Sequence, residues 1–344
     1  MRLAFFKKPK LESSFQHAVS VVVCARDEAQ NLAENLPEVL QQDYRSTFEV
    51  VAVNDNSYDD SKYVLEYLSK PFRNLRPVEL KQEARFIQGK KFPLSVGIKE
   101  AKHELLLLTD ADCKPASNKW IEIMQAAFSN GKEIVLGYGA YYKKPGLLNK
   151  LIRFETFLSA LQYFSYALAG KPYMGVGRNL AYRKELFFRN KGFSSHNQLQ
   201  GGDDDLFINK VATKQNTAVV LEKEAFTLSQ PKTSWKTWRS QKARHYTTSK
   251  HYKSSHKFLL GLFSFSHFIF YPLLAVSIIY FNWWIALCVF AFRFILQGII
   301  YYRSMKIFDE KDLFWLYPFL DIWQWFYYLL FFNTLFKKPG NNWK

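Results

Sequence analysis

Two groups of carboxylates have the residue types and spacing to do chemistry. Leu105–Cys113 reads Leu-Leu-Leu-Leu-Thr-Asp-Ala-Asp-Cys, an apolar run ending in Asp110 and Asp112. One residue apart in extended chain, two carboxylates can face the same side. Two hard oxygen donors suit Mg²⁺ or Mn²⁺, which also takes diphosphate oxygens. Many solvated loops contain Asp-X-Asp, but here the pair follows a run that reads as a buried strand. Gly201–Leu206 reads Gly-Gly-Asp-Asp-Asp-Leu. Asp203, Asp204 and Asp205 repel one another, which costs stability unless a cation or a task compensates. Capping the helix that starts near Leu206 needs one Asp. The natural task for another is that of a general base.

A third group is cationic. Pro231–Lys257 holds eight Lys or Arg, three His and no acid, with Trp235, Trp238 and Tyr246 among Gln241, Lys242, Arg244 and His245. Three readings fit: a solvated basic helix beside a membrane, a nucleic-acid surface, or Arg244 facing a leaving diphosphate with Trp238 in an acceptor pocket. The whole chain of 344 residues carries 47 Lys and Arg against 30 Asp and Glu, a net charge of +17, so an anionic partner is expected. Cys24, Cys113 and Cys288 are too scattered for a disulfide framework or a zinc cluster, and suit a reducing compartment.

These residues need elements to hold them. Ala18–Ala25, Phe48–Val53, Leu75–Leu80 and Leu105–Thr109 read as short buried strands, with helical patterns near Asn31–Gln42 and Leu94–Lys102. This alternation predicts an α/β fold with a mostly parallel central sheet. Ligands of such sheets lie beyond the carboxyl ends of the strands. Arg26, Asp27 and Glu28, then Asn54 and Asp55, then Asp110 and Asp112, stand there. In Leu147–Ala169 the apolar Leu151, Phe154, Leu158, Leu161 and Phe164 recur at helical spacing, with Arg153, Thr156, Ser159 and Gln162 elsewhere. That pattern predicts an amphipathic helix, packed on the core or lying in an interface.

Composition changes near Phe258. No Asp, Glu, Lys or Arg occurs from Phe258 to Phe292, room for one spanning helix of about 20 residues and most of a second. Phe258–Phe281 and Trp283–Tyr302 are the expected spans, turning at Asn282, with Trp283, Trp284, Tyr301 and Tyr302 at the interfaces. Leu313–Phe336, carrying Asp321 and Pro318, is a third candidate, as a span, a re-entrant segment or an interfacial one. The expected division is residues 1–257 as a cytoplasmic domain, 258–336 as a membrane region of two to three helices, and 337–344 as a basic tail. Met1–Lys10 has an apolar stretch of about four residues, short of the roughly 7–15 of a secretory signal. Residues 1–257 are therefore expected on the cytoplasmic side. The Arg303–Asp312 loop then returns to that side with Arg303, Lys306 and Lys311, as the positive-inside rule wants; three full spans would place Lys337, Lys338 and Lys344 outside, against it.

Taken together, the motifs resemble those of the family 2 glycosyltransferases, in its membrane-bound branch, over about Val19 to Tyr246, roughly two thirds of the chain. Val21–Leu32 resembles the opening strand and nucleotide loop, which implies that Ala25, Arg26 and Glu28 line the uridine site. Val53–Ser61 resembles the second motif, with Asp55 on the base. Gly89–Leu94 resembles the segment that brings a Lys, here Lys90, to the phosphates. Asp110-Ala-Asp112 matches the metal motif. Asp203 aligns with the catalytic base, with Asp204 as an alternative. Gly175–Leu180 resembles the donor-sugar segment, with Arg178 and Asn179 as its side chains. Gln241-Lys-Ala-Arg244-His resembles a Gln-X-X-Arg-Trp motif in which His245 replaces Trp, leaving Tyr246 to supply an aromatic surface. In the membrane-bound relatives a helix like Leu147–Ala169 lies in the interface near the acceptor.

The resemblance implies a GT-A fold and inverting transfer from a nucleotide-sugar, expected to be a UDP-sugar, to a lipid-linked or saccharide acceptor in cell-envelope or exopolysaccharide synthesis. Asp203 would act as base, Arg244 would stabilise the leaving group, and Mg²⁺ or Mn²⁺ would be the cofactor. The expected place is the cytoplasmic (inner) membrane. Two alternatives stand beside this: transfer to a polyprenyl phosphate, which needs no strong base, and a non-catalytic membrane scaffold. A nucleic-acid partner is not expected, and no oligomeric state follows from the residues.

Overall fold

A computed structural model describes residues 2–6, 16–81, 87 and 89–332. The basic tail at 337–344 and the end of the third apolar segment at 333–336 lie outside the described residues, as do residues 1 and 7–10. The first half alternates as the apolar runs require: β1 (Val19–Ala25), α1 (Ala29–Leu40), β2 (Phe48–Asp55), α2 (Ser61–Ser69), β3 (Leu75–Leu80), α3 (Lys91–Glu100) and β4 (Leu105–Asp110). Then follow β5 (Cys113–Pro115), α4 (Trp120–Ala126), β6 (Ile134–Leu136), β7 (Gly139–Tyr141), the long α5 (Leu147–Leu168), β8 (Leu180–Arg183), α6 (Lys184–Arg189), α7 (Asp205–Val211), β9 (Thr217–Val219) and β10 (Thr227–Ser229). The chain continues in helices α8 (Trp235–Ser249), α9 (Ser254–Tyr280), α10 (Trp283–Ile307) and α11 (Tyr317–Phe332).

The main sheet has the order β3-β2-β1-β4-β8-β6-β9. Its first four strands are parallel, and β8 is antiparallel to both β4 and β6. Successive residues of β1 face opposite layers: Val22 and Cys24 join the layer of α3 and α5, Val21 and Val23 that of α1 and α4. Burial on both faces explains why β1, β2 and β4 read as continuous apolar runs. A small second sheet, β5-β10-β7, folds over the end of β4. Its three-residue strands carry no readable period.

α5 is a helix as predicted, but it buries more than one stripe. Leu151, Phe154 and Phe164 are buried, and so are Arg153 and Thr156, which the spacing put on the polar side. The reason is that α5 is covered on a second side by the return from α10: Tyr301 packs edge-on against Phe154 and Phe157, and Phe308 packs against Phe157 and Phe164. Arg153 is buried because Glu310 and Asp312 meet it there.

α9 and α10 have 27 and 25 residues and are long and apolar enough to cross a membrane. Asn282 accepts the Trp284 N–H at 3.0 Å and so caps α10 at the expected turn. Among the described residues no third helix is both long and apolar enough. The third candidate opens as a tight 3₁₀ turn, Lys311–Leu316, and only then continues as the described 16 residues of α11. Asp321 is buried against Arg293 of α10 (2.9 Å) and Gln297 (2.5 Å), with Tyr271 of α9. Tyr327 and Phe331 pack on Trp238 of α8.

Candidate active site

Strand register builds the floor of the site. Ala25 pairs with Asn54, and Cys24 with Asp110, so β1, β2 and β4 end along one line. Three loops leave from that line. In the first, Asp27 takes a positive φ of 52°, which an Asp tolerates when its side chain bonds locally. Its carboxylate accepts the Tyr58 N–H at 2.8 Å, and its own N–H donates to Ser57 Oγ at 2.9 Å. The Glu28 N–H donates to Ser61 Oγ at 3.0 Å. The loops after β1 and β2 are thus fastened together, with Arg26 3.8 Å from the carboxylate of buried Asp55. Ala25 contributes backbone only, its side chain being buried.

The second group gathers at the end of β4. Lys90 reaches Asp110 in a direct ion pair. Burial alone would raise the Asp110 acid, but the Lys90 ammonium outweighs it and holds the carboxyl below its usual range, with help from Arg178 and Arg244. Asp112 goes the other way, raised by burial and by the charge of Asp110. The ligand atoms of Asp110, Asp112 and Cys113 lie within 4.8 Å of one another. Burial pushes the Cys113 thiol well up, so the two carboxylates are the hard donors. A divalent cation fits this pair: one carboxylate already holds a cationic Lys, and the other is disfavoured as an anion by burial and by its neighbour's charge, which a cation would offset. Mg²⁺ and Mn²⁺ match the oxygen donors.

The third group is the Asp triplet. Gly89 has φ +69°, and a Cβ there would stand 2.1 Å from the Gln200 carbonyl oxygen. Only glycine lets the turn before α3 lie against the 199–205 loop. Lys91 then donates its ammonium to the Leu199 carbonyl. The three Asp are separated by their partners. Asp204 caps α7: its Oδ1 accepts the Asp205 N–H at 2.7 Å and its Oδ2 the Gly177 N–H at 2.8 Å. Burial, then Asp203 and Asp205, raise its pKa to about 8. Asp205 is buried and accepts from Thr248 and, at 2.7 Å, from Tyr252. Asp203 is half-buried, and its charge is felt by Lys90, Lys91 and His196.

Of the remaining predicted residues, Arg178 joins the site and Asn179 does not. The Arg178 guanidinium lies 4.3 Å over the Tyr141 ring, donates to Ser229 Oγ at 2.8 Å, and bears on Asp110 and Asp112. Asn179 is fully buried: its amide donates to the Tyr138 and Ala225 carbonyls at 2.9 and 2.8 Å and accepts from Trp120 at 3.0 Å. It ties the two sheets and leaves no atom for a sugar. Arg244 and Gln241, both half-buried, lie on α8, and Arg244 is the member whose charge reaches Asp110. Trp238 does not line an open pocket. It is buried among Tyr141, Ile152, Tyr327 and Phe331, and Tyr246 donates to the Tyr327 hydroxyl at 3.1 Å.

Sequence reasoning overlooked the residues that hold the site in place. These are Tyr141 and Ser229 around Arg178, Thr248 and Tyr252 on Asp205, and Glu155, which pairs with Lys242. His196 is another: Ser195 Oγ lies 3.0 Å from its Nδ1, and the Gly202 carbonyl oxygen 2.8 Å from its Nε2. None of these residues had a signal in its local sequence.

A mostly parallel sheet, ligand loops at its carboxyl edge and an acidic pair ending the fourth strand define the GT-A class of glycosyltransferase. The chain belongs to that class through the family whose motifs it carries: residues 20–188 match glycosyl transferase family 2. The fold is also that of the mannosyltransferase PcManGT from Pyrobaculum calidifontis, solved with GDP-Man and Mn²⁺, at a TM-score of 0.56 and 19% identity over 90% of this chain and 88% of that one. S. aureus TarS 1–349, solved with UDP-GlcNAc, aligns at a TM-score of 0.50 and 18% identity, over 90% and 89%. In sequence, the chain is 26% identical over 140 residues to the glycosyltransferase AglE of Haloferax volcanii, covering 40% of this chain and 44% of AglE's length.

Proposed function

We propose that this glycosyltransferase is membrane-anchored and inverting. It moves a sugar from a nucleotide-sugar, a UDP-sugar, to a lipid-linked or saccharide acceptor at the cytoplasmic membrane, with the catalytic domain facing the cytoplasm. The observation that carries the reading is the gathering of Arg26, Asp55, Lys90, Asp110, Asp112 and Arg178 along one sheet edge, with Asp203 near enough for its charge to act on Lys90. The bound donors of PcManGT and TarS support a nucleotide-sugar.

Arg26, Glu28 and Asp55 hold the nucleoside. Lys90 and Arg178 face its phosphates and sugar. Asp110 and Asp112 would hold Mg²⁺ or Mn²⁺, whose charge offsets that building on the departing diphosphate. Asp203 takes the proton of the acceptor hydroxyl. Of the three Asp it is the candidate, because Asp204 is engaged by two backbone N–H groups and Asp205 by Thr248 and Tyr252. Arg244 stabilises the leaving group from α8.

The test is nucleotide release from a panel of UDP- and GDP-sugars by the solubilised protein, with membrane lipid extract as acceptor source, in Mn²⁺ or EDTA and beside Asp112→Ala. Metal-dependent release from one donor, lost in the variant, is expected. Release that EDTA and Asp112→Ala both leave intact would remove the metal from the mechanism. No release from any donor, with UDP still bound, would leave a nucleotide-binding scaffold.

A further inference from the structure

We infer that the cleft between α10 and the turn that opens α11 is a binding site for one acyl chain of an anionic bilayer phospholipid, with its headgroup at Arg303. The inference rests on the reading of α9 and α10 as membrane spans.

The cleft is about 350 Å³, at the lower end of ligand-sized sites, and its lining is almost wholly apolar. One wall is α10 from Phe294 to Arg303; the other is Phe314 and Tyr317. Gly298 makes the floor, since its missing side chain leaves Tyr317 as the neighbour, 3.5 Å from where a Cβ would stand. From residue 294 to residue 303 the helix rises about 14 Å, close to half of the roughly 30 Å hydrocarbon core. That is the depth of a single leaflet, which suits one acyl chain and not a long polyprenyl tail.

The position of the mouth gives the headgroup. α10 enters the catalytic core at its C-terminal end, where Tyr301, Met305 and Phe308 are buried. The Arg303 end of the cleft therefore lies on the catalytic side. Exposed Arg303, Lys306 and Lys311 cluster there. Arg303 stacks 4.4 Å from the Phe5 ring, and Lys311 lies 5.7 Å from that of Tyr302. The acids of the adjoining turn are engaged by cations of the catalytic half: Asp309 by Lys143 and Lys223, Glu310 and Asp312 by Arg153. The positive charge at the mouth thus faces outward, toward a phosphate at headgroup depth. Trp315 is 86% exposed beside it, as rings at a membrane interface are.

The experiment is native mass spectrometry of the full chain released from detergent with equimolar phosphatidylglycerol and phosphatidylcholine, preceded by flotation with vesicles of the same lipids. Wild type should float and retain phosphatidylglycerol roughly tenfold over phosphatidylcholine, and Arg303→Gln should lower that preference about fivefold. Gly298→Leu, which fills the cleft, should lose the retained lipid. Ile299→Trp fills it from a position already 45% exposed, and should do the same if the first variant misfolds. Equal retention of the two lipids, or undiminished retention by a folded cleft-filling variant, would sink the site. Displacement of phosphatidylglycerol by equimolar polyprenyl phosphate would overturn the assigned occupant. Failure to float would defeat the membrane reading itself, whereas floating without lipid preference defeats only the cleft.

Discussion

Three neighbouring carboxylates with the same side chain do three different things here, and only their partners tell them apart. Asp204 closes a helix, Asp205 holds α8, and Asp203 faces the site. Asp203→Asn should lower turnover about 10²–10⁴-fold, the usual worth of a general base, and leave UDP affinity and thermal unfolding unchanged. Steady-state kinetics beside UDP titration calorimetry checks this. Loss of UDP binding along with turnover would reassign Asp203 to the nucleotide site, and full activity would point to a phosphate acceptor. The sequence could align the triplet but not divide it, because adjacent residues share every local signal and differ only in what distant segments bring to them. Asn179 fails for the same reason. It stands next to Arg178, yet the turn at Gly177–Asn179 sends the two side chains apart, one to Tyr141 and one to Trp120.

At the scale of elements, legibility followed burial. β1, β2 and β4 were readable because parallel strands buried on both faces must be apolar almost throughout, whereas the edge strand β3 carries Arg76 and Glu79 and buries only Leu75. β5, β7 and β10 are three residues each, too short for any period, and they carry Cys113, Tyr141 and Ser229 into the site. The 194–205 loop, read only through its Asp triplet, is braced from inside by His196. Burial, then the nearby Lys91, lower this imidazole from 6.5 to about 4. A folded pKa below the unfolded one means a contribution that is complete above about 6.5 and lost as pH falls toward 4. Its size is at most on the order of 3 kcal/mol. Hydrogen exchange of the loop should therefore quicken between pH 6.5 and 4.5 relative to β1. His196→Gln, which can still donate to the Gly202 carbonyl, should remove that pH dependence. A loop whose exchange keeps the same pH slope in the variant would show that other groups titrate there.

At the scale of the whole molecule, the catalytic half and the apolar helices are joined by charge as well as by rings. Arg153 of α5 and Glu310 after α10 are each 2% exposed and meet through two guanidinium nitrogens, one of them at 2.8 Å. Around this pair Lys143 and Lys223 hold Asp309, so α5 and two loops of the catalytic half close on one turn. The apolar periodicity of α5 gave no sign of it, because a buried Arg reads in sequence as a polar face. An isolated charge left in this joint is costly, whereas a matched apolar pair is not. Glu310→Ala alone should lower stability, by less than the roughly 3–5 kcal/mol of a fully stranded charge because exposed Asp312 still pairs with Arg153, and Arg153→Met with Glu310→Met should recover most of it. Thermal unfolding in detergent reads both. Activity then separates bracing from alignment. If the joint only stabilises, the double variant turns over like wild type once folded. If the joint sets how the site in the catalytic half meets an acceptor held beside α9 and α10, the double variant is stable, binds UDP normally and loses transfer to the membrane acceptor while keeping donor hydrolysis. The expected outcome is the second, because the turn at 309–312 fixes the end of α10 to α5 and to Lys143 and Lys223, and so sets where α9 and α10 stand against the site.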